Sequence, residues 1–234
     1  DSLKEGLVAY YPFNGNAKDE SGNGLDGEVK GATLSKDRHN EEGKAYTFDG
    51  KNSYISLPAF KYGEKFTISL WANENQPNPK TSIMVSKKQK RGVGDSFQFI
   101  SHLDGKIDVR VFSAPRVMIG RSTGILNSRY HRWAHFVAVY DGGNTPSSLK
   151  IFRDGIRVDQ NDSVGSKPDQ FKKFNDLDLN CEIGTQGSGG NIFDGELDDI
   201  RFYGRALSEE EITALYDLEK PKTDLKNGLV AYYP

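Results

Sequence analysis

The sequence predicts an all-β fold, a two-sheet antiparallel sandwich or jelly roll with one short C-terminal helix, and three observations carry that expectation. Short runs rich in Val, Ile, Phe and Tyr recur about every ten residues between clusters of Gly, Asn, Asp and Pro. Several runs alternate strictly, so that Phe66, Ile68 and Leu70 share one face of FTISLWA while Thr67, Ser69 and Trp71 share the other. Only one segment, near the end, carries helix-start chemistry.

Taken in order, the candidate strands are LVAYYPF, AYTFDG, SYISL, FTISLWAN, SIMVSK, SFQFISH, KIDVRVF, VMIGR, WAHFVAVYD, SLKIFRDG, LNCEIG and IFDGELDDIRFYG. Asp104-Gly105 between SFQFISH and KIDVRVF reads as a tight hairpin turn, and Asp154-Gly155 as a second. In Leu207–Ile212 (LSEEEI), Ser208 caps the free amides, Glu211 reaches back to close the box, and Leu207 staples onto Ile212. The helix is expected to run to about Leu218 with Ile212 and Leu215 against the sheet. Trp71 and Trp133 sit among apolar strand neighbours and are assigned to the core.

The ends of the chain repeat each other. Gly6–Pro12 and Gly228–Pro234 are identical over seven consecutive positions, GLVAYYP. The expected organisation is one domain over residues 1–221, followed in 222–234 by a linker and the first strand of a following repeat. Repetition multiplies weak contacts through effective concentration, which suits a multidomain adhesive or substrate-binding protein. The second copy of the strand has no place in its own sandwich, so strand exchange through the tail is an expected property.

Composition narrows the partners. With 31 Lys and Arg against 33 Asp and Glu, the net charge is −2, and no global field favours nucleic acid. No apolar run approaches bilayer length, so membrane insertion is not expected. The single cysteine, Cys181, excludes an internal disulfide and reads as a small buried residue.

The ordered motifs GLVAYYPFNGNAKDESGNGLDG, AYTFDGKNSYISLP, FTISLWA, RWAHFVAVYDG, LKIFRDG and FDGELDDIRFYGRALSEEEITALY cover almost all of residues 6–216. In that order they resemble the laminin G-like, concanavalin A-like jelly-roll family. The resemblance implies a sandwich with its first and last strands adjacent, and an extracellular or cell-surface setting. Function is less determined, because the fold hosts lectins, adhesion modules, glycosidases and lyases.

The densest oxygen-rich stretch is Asp19–Gly27, three carboxylates, one amide and three glycines in DESGNGLDG. Hard cations take six to eight oxygens, some from main-chain carbonyls that glycine-rich loops can aim inward, so this loop can supply half of a calcium site. The resemblance implies a structural Ca²⁺ held by Asp19, by loop oxygens of Asn23, Gly24 and Leu25, and by Asp198 or Asp199 from the last strand. Asp198 is preferred, because it shares strand parity with Ile200 and Phe202.

Catalysis is not expected. A jelly-roll glucanase is implied by Glu-x-Asp-x-Glu or Glu-x-Asp-x-x-Glu on one strand; here Glu196 and Asp198 fit, but Ile200 or Arg201 stands where the second acid belongs. Neither can protonate a glycosidic oxygen. A lyase built on His102 and Arg110 is a weaker alternative, and no HExxH spacing occurs among His39, His102, His131 and His135. The binding residues expected are Lys88, Lys90 and Arg91 in the KKQKR cluster, with His102, Arg110 and the aromatic Tyr130; Tyr62 and Phe112 are further candidate sugar platforms. The expected function is a non-catalytic adhesion or carbohydrate-recognition module whose partner is a glycan or cell-surface protein. A carbohydrate-active enzyme and a structural spacer are the alternatives.

Overall fold

The computed structural model describes residues 2–75, 81–88, 95–126, 130–163, 165–187 and 190–222. Sixteen strands are described: β1 (Leu7–Tyr11), β2 (Glu28–Lys30), β3 (Thr33–Ser35), β4 (Ala45–Asp49), β5 (Tyr54–Phe60), β6 (Phe66–Glu74), β7 (Ser82–Lys88), β8 (Asp95–Ser101), β9 (Ile107–Ala114), β10 (Val117–Thr123), β11 (Ala134–Tyr140), β12 (Leu149–Arg153), β13 (Ile156–Arg157), β14 (Asp159–Ser163), β15 (Leu179–Ile183) and β16 (Asp194–Tyr203). They form two antiparallel sheets of eight. Sheet A runs β13-β12-β11-β6-β16-β4-β3 with β1 also on β16; sheet B runs β14-β10-β9-β8-β7-β15-β5-β2. The expected jelly-roll sandwich is present, and its first and last strands pair, Tyr10 opposite Arg201 and Tyr11 opposite Ile200.

The alternation read from FTISLWA is realised. Phe66, Ile68 and Leu70 enter the main core between the sheets with Phe97, Phe99, Val109, Val111 and Ile183. Both predicted hairpins form, and in the second Asp154 and Gly155 have φ of 51° and 79°, the doubly left-handed backbone of a type I′ turn. Helix α1 (Glu209–Glu219) begins on the expected capping box, with Ser208 accepting from the Glu211 amide and Glu211 from the Ser208 amide. It buries Ile212 and Leu215, and Ile212 joins a second apolar cluster with Val137, Val139 and Tyr203 on the outer face of sheet A.

Three assignments need correction. Asp198 does not share a face with Ile200 and Phe202: the register between β16 and β6 shifts between Asp198 and Arg201, with Asp199 at φ 45°. The bulge inserts a residue, so the period of two breaks there. Asp198 pairs with Trp71 on the outer face, while Ile200 and Phe202 stay in the core. Trp71 is buried, but beneath α1, its ring 5.9 Å from Tyr216, and not between the sheets. Trp133 is only half-buried, just before β11.

Candidate functional site

The Asp19 turn is a self-contained hydrogen-bonded structure against the free edge of β1. Asp19 Oδ1 accepts from the Tyr10 and Ser21 amides at 3.0 and 2.9 Å, and Oδ2 from the Ser21 hydroxyl and the Leu25 amide at 2.9 and 3.1 Å. These donors hold the Asp19 carboxyl below its ordinary value against the opposing effect of burial. Asn23 turns its amide nitrogen, not its oxygen, onto the Val8 carbonyl at 2.9 Å, and the Leu25 carbonyl accepts the Tyr11 hydroxyl at 2.6 Å. The Glu20 amide donates to the Tyr10 carbonyl. The turn therefore satisfies the β1 edge that would otherwise be a template for another strand.

Asp198 and Asp199 lie elsewhere, in a buried ionic cluster between β16 and α1. Arg38, from the loop between β3 and β4, donates Nη1 to Asp198 and Nη2 to Asp199, each at 2.6 Å, and Nε to the Glu219 carbonyl, also at 2.6 Å. Its guanidinium lies over Trp71, 4.7 Å from the ring centroid. Arg201 pairs with the Glu219 carboxylate and stacks on Tyr10, whose hydroxyl donates to Asp199 at 2.6 Å. Trp71 Nε1 donates to Glu219 at 2.8 Å. Burial and the neighbouring Asp199 charge push the Asp198 carboxyl up to about 8, against the pull of Arg38. Burial, reinforced by Arg201 and Arg38, lowers His135 to about 3 and keeps it neutral.

The six residues expected to ligate calcium do not fit one ion as they stand. The Asp19 oxygens are filled by N–H and O–H donors, and a guanidinium already bridges Asp198 and Asp199. Among the described residues no group of three or more His, Cys, Asp or Glu is placed to share a metal. Tyr10 links the two regions, by its amide to Asp19 and by its hydroxyl to Asp199.

The face of sheet B turned away from the core carries the binding candidates that the structure brings together. Main-chain register aligns Ser56, Glu182, Ser86, Gln98, Arg110 and Gly120 in one row across β5, β15, β7, β8, β9 and β10. In β15, β8 and β9, core residues alternate with this row: Cys181 and Ile183, Phe97 and Phe99, Val109 and Val111. Glu182, Ser86 and Gln98 belong to neither apolar cluster yet are nearly fully buried, and the Ser86 hydroxyl donates to the Thr185 carbonyl. Beside it, His102 and Arg110 converge on Asp108 of β9, Nε2 of His102 at 3.2 Å and Nε and Nη2 of Arg110 at 2.8 and 2.7 Å.

The other candidates do not join them. Lys88 ends β7 opposite Asp95, Lys90 and Arg91 lie outside the described residues, and the first lysine of that cluster, Lys87, is fully buried against Asp176 and the rings of Phe60 and Tyr62. Tyr130 is half-buried and bridges to Glu74. Tyr62 and Phe112 are packed at 4% and 5% exposure and offer no open platform. Sequence reasoning missed Asp108, although Asp108 and Arg110 stand two apart in KIDVRVF, the spacing that puts them on one strand face. It also missed Arg38, for which a loop position leaves no periodic signal.

A family model described as the concanavalin A-like lectin/glucanases superfamily matches residues 49–213. No curated protein matches the chain. Among solved structures, the binding domain of Paraclostridial Mosquitocidal Protein 1 superposes with a TM-score of 0.70 at 19% identity, over 92% of this chain and 53% of that one. The binding domain of botulinum neurotoxin serotype D gives 0.69 at 14%, over 94% and 53%. Domain 4 of AbnA, a GH43 extracellular arabinanase from Geobacillus stearothermophilus, in complex with arabinotriose, gives 0.65 at 22%, over 90% and 98%. The chain thus spans about half the length of the toxin domains and nearly all of the arabinanase domain.

Proposed function

We propose that this chain, which belongs to the concanavalin A-like lectin/glucanase superfamily, is a non-catalytic binding module for a glycan, acting outside the cell in a protein of repeated units. The observation that carries the reading is the polar row on the outer face of sheet B, which leads to the partly exposed Arg110 and His102. Ser56, Glu182, Ser86, Gln98 and Arg110 present hydroxyl, carboxylate, amide and guanidinium groups at successive strand spacings, about 4.8 Å apart. A row of donors and acceptors beside the partly open His102 and Arg110 suits the hydroxyl groups of an oligosaccharide. The arabinotriose complex of the similar arabinanase domain supports a sugar as ligand, and the toxin binding domains support recognition as the role.

The enzyme alternative is disfavoured by the same geometry. A retaining glycosidase needs two accessible carboxylates about 5 Å apart. The Asp198 side chain is 2% exposed, clamped by Arg38 and set on the outer face of sheet A near the end of α1. Structural calcium is not part of this reading, since an ion joining the two halves must displace Arg38 and the donors on Asp19.

The test is calorimetric titration of arabinotriose and a panel of neutral and uronate oligosaccharides into wild type and Gln98→Ala, with reducing-end and unsaturated-product assays on the same mixtures. Binding weakened about tenfold by Gln98→Ala without turnover is expected. Turnover abolished by Asp198→Asn would establish the enzyme reading, and no binding with no turnover would favour a spacer.

A further inference from the structure

Asp108 is paired on one side only. Its side chain is 2% exposed, and Oδ2 takes all three donors: His102 Nε2 at 3.2 Å, Arg110 Nε at 2.8 Å and Arg110 Nη2 at 2.7 Å. Oδ1 is equally buried and has no hydrogen-bond partner among the described residues. A carboxylate oxygen offers two lone pairs, and leaving them unmet in a buried position is unfavourable. The neighbouring side chains do not supply the donor. Register places Ile100 on one side of Asp108 and Ser122 on the other, and the Ser122 hydroxyl is directed to the Asn161 carbonyl at 3.4 Å. His102 and Arg110 are the partly open members, 25% and 27% exposed, and through them the group meets the surface of the sheet.

Charge selects among ligands. Arg110 is one of the basic residues expected to bind a ligand, but in the fold it is neutralised internally, as is Arg121 on the neighbouring strand. Arg110 is held by Asp108, and Arg121 by Asp159 and Asp162 at 2.9 and 2.5 Å. The Asp108–Arg110 pair is therefore neutral as a unit and offers no surplus of positive charge of its own to a uronate or sulfate. A carboxylate with one bare oxygen beside a guanidinium is complementary instead to two adjacent hydroxyls, one donating to the acid while its neighbour accepts from the base.

We propose that Asp108 and Arg110 form the anchoring subsite of the sheet B strip and take the vicinal hydroxyl pair of a neutral sugar residue. This rests on the glycan-binding reading above and narrows it to uncharged glycans. Asp108 Oδ1 receives the sugar hydroxyl, Arg110 positions it, and the Gln98–Ser56 row continues the contact along the chain.

The test is calorimetry with two probes of matched length, arabinotriose and trigalacturonate, on wild type, Asp108→Asn and Arg110→Lys, each checked for an unchanged folded circular dichroism spectrum. Asn keeps the shape of Asp108 and removes its charge, and Lys keeps the charge of Arg110 but not its fork. Arabinotriose binding that weakens at least tenfold in both variants, with trigalacturonate bound at least tenfold more weakly than arabinotriose by wild type, supports the subsite. If Asp108→Asn does not fold, Arg110→Lys decides alone. Tighter binding of trigalacturonate, or arabinotriose affinity unchanged in the folded variants, overturns the subsite and leaves the glycan-binding module standing. Failure of both probes to bind wild type overturns the subsite, and failure of the whole oligosaccharide panel overturns the glycan-binding module with it.

Discussion

Replacing Arg38 by Met removes the one group that bridges Asp198 and Asp199 while keeping an unbranched side chain over Trp71. Arg38 is 5% exposed and its two carboxylate partners 2% and 12%, so solvent screening discounts the interaction little. Removing one partner from a buried ionic group leaves an uncompensated charge and costs about 3–5 kcal/mol. For a chain of this size that corresponds to a fall in Tm of roughly 6–20 °C. The pH dependence adds a second, independent readout. Asp198 is pushed up to about 8 from its ordinary 3.8, so the folded state holds a proton that the unfolded state releases. Its contribution to stability is full below about pH 4 and is lost as pH rises towards 8. Without Arg38 the Asp199 amide is the pull that remains, so the carboxyl rises further and stays protonated at pH 5 and pH 8 alike; only the wild type is partly ionised near pH 8, and the loss in Arg38→Met is expected to be only slightly larger there than at pH 5. Adding Asp198→Asn to Arg38→Met is expected to recover part of the loss at pH 8. Urea unfolding at both pH values measures all three. A loss under about 1 kcal/mol at both pH values refutes the assignment of Arg38 as the internal counter-charge.

Ser208→Ala removes half of the capping box of α1 and is expected to cost about 1 kcal/mol, or 2–4 °C, by thermal melting. Calcium at millimolar concentration is expected to leave Tm unchanged, because Arg38 and the amide donors on Asp19 already occupy the oxygens; a rise of several degrees in differential scanning fluorimetry would show that the ion displaces them. Ser21→Ala takes a hydroxyl from both the Val8 carbonyl and Asp19, and it is expected to speed amide exchange along β1 and at the Asp19 turn relative to β6 in hydrogen-exchange mass spectrometry. Ending the chain at Pro221 is expected to leave Tm within about 1 °C and to abolish any concentration-dependent shift in size-exclusion elution; identical elution of both forms at high concentration would count against strand exchange through the tail.

The fold was legible where one face of an element is buried and the other is not. FTISLWA, the two Asp-Gly hairpins and the LSEEEI helix start each carry a local signal that tertiary structure had only to accept. The strands that escaped notice are edges. β2 and β3 are three residues long, and β14 reads DQNDS; each closes one side of a sheet and buries too little for an apolar period to emerge. The parity argument for Asp198 failed for a related reason: a bulge is a change of count, and nothing in LDDIRF marks which residue is the extra one.

The sites were legible as chemistry and not as pairing. Asp, Asn and Gly in DESGNGLDG announce a loop full of oxygen atoms, and the fold turns that loop back on the β1 edge, where its acceptors meet amides and its amide nitrogen meets a carbonyl. Asp198 and Asp199 announce a need for positive charge, and the charge arrives from Arg38, about 160 residues away in sequence and in a loop without period. The same rule applies on sheet B. A run of arginines in the sequence suggests attraction to anions, but each arginine must first be counted against the aspartate beside which the strands place it. At Arg110 that count leaves a neutral pair with one bare carboxylate oxygen on Asp108, and this is the ground for proposing a ligand rich in hydroxyl groups.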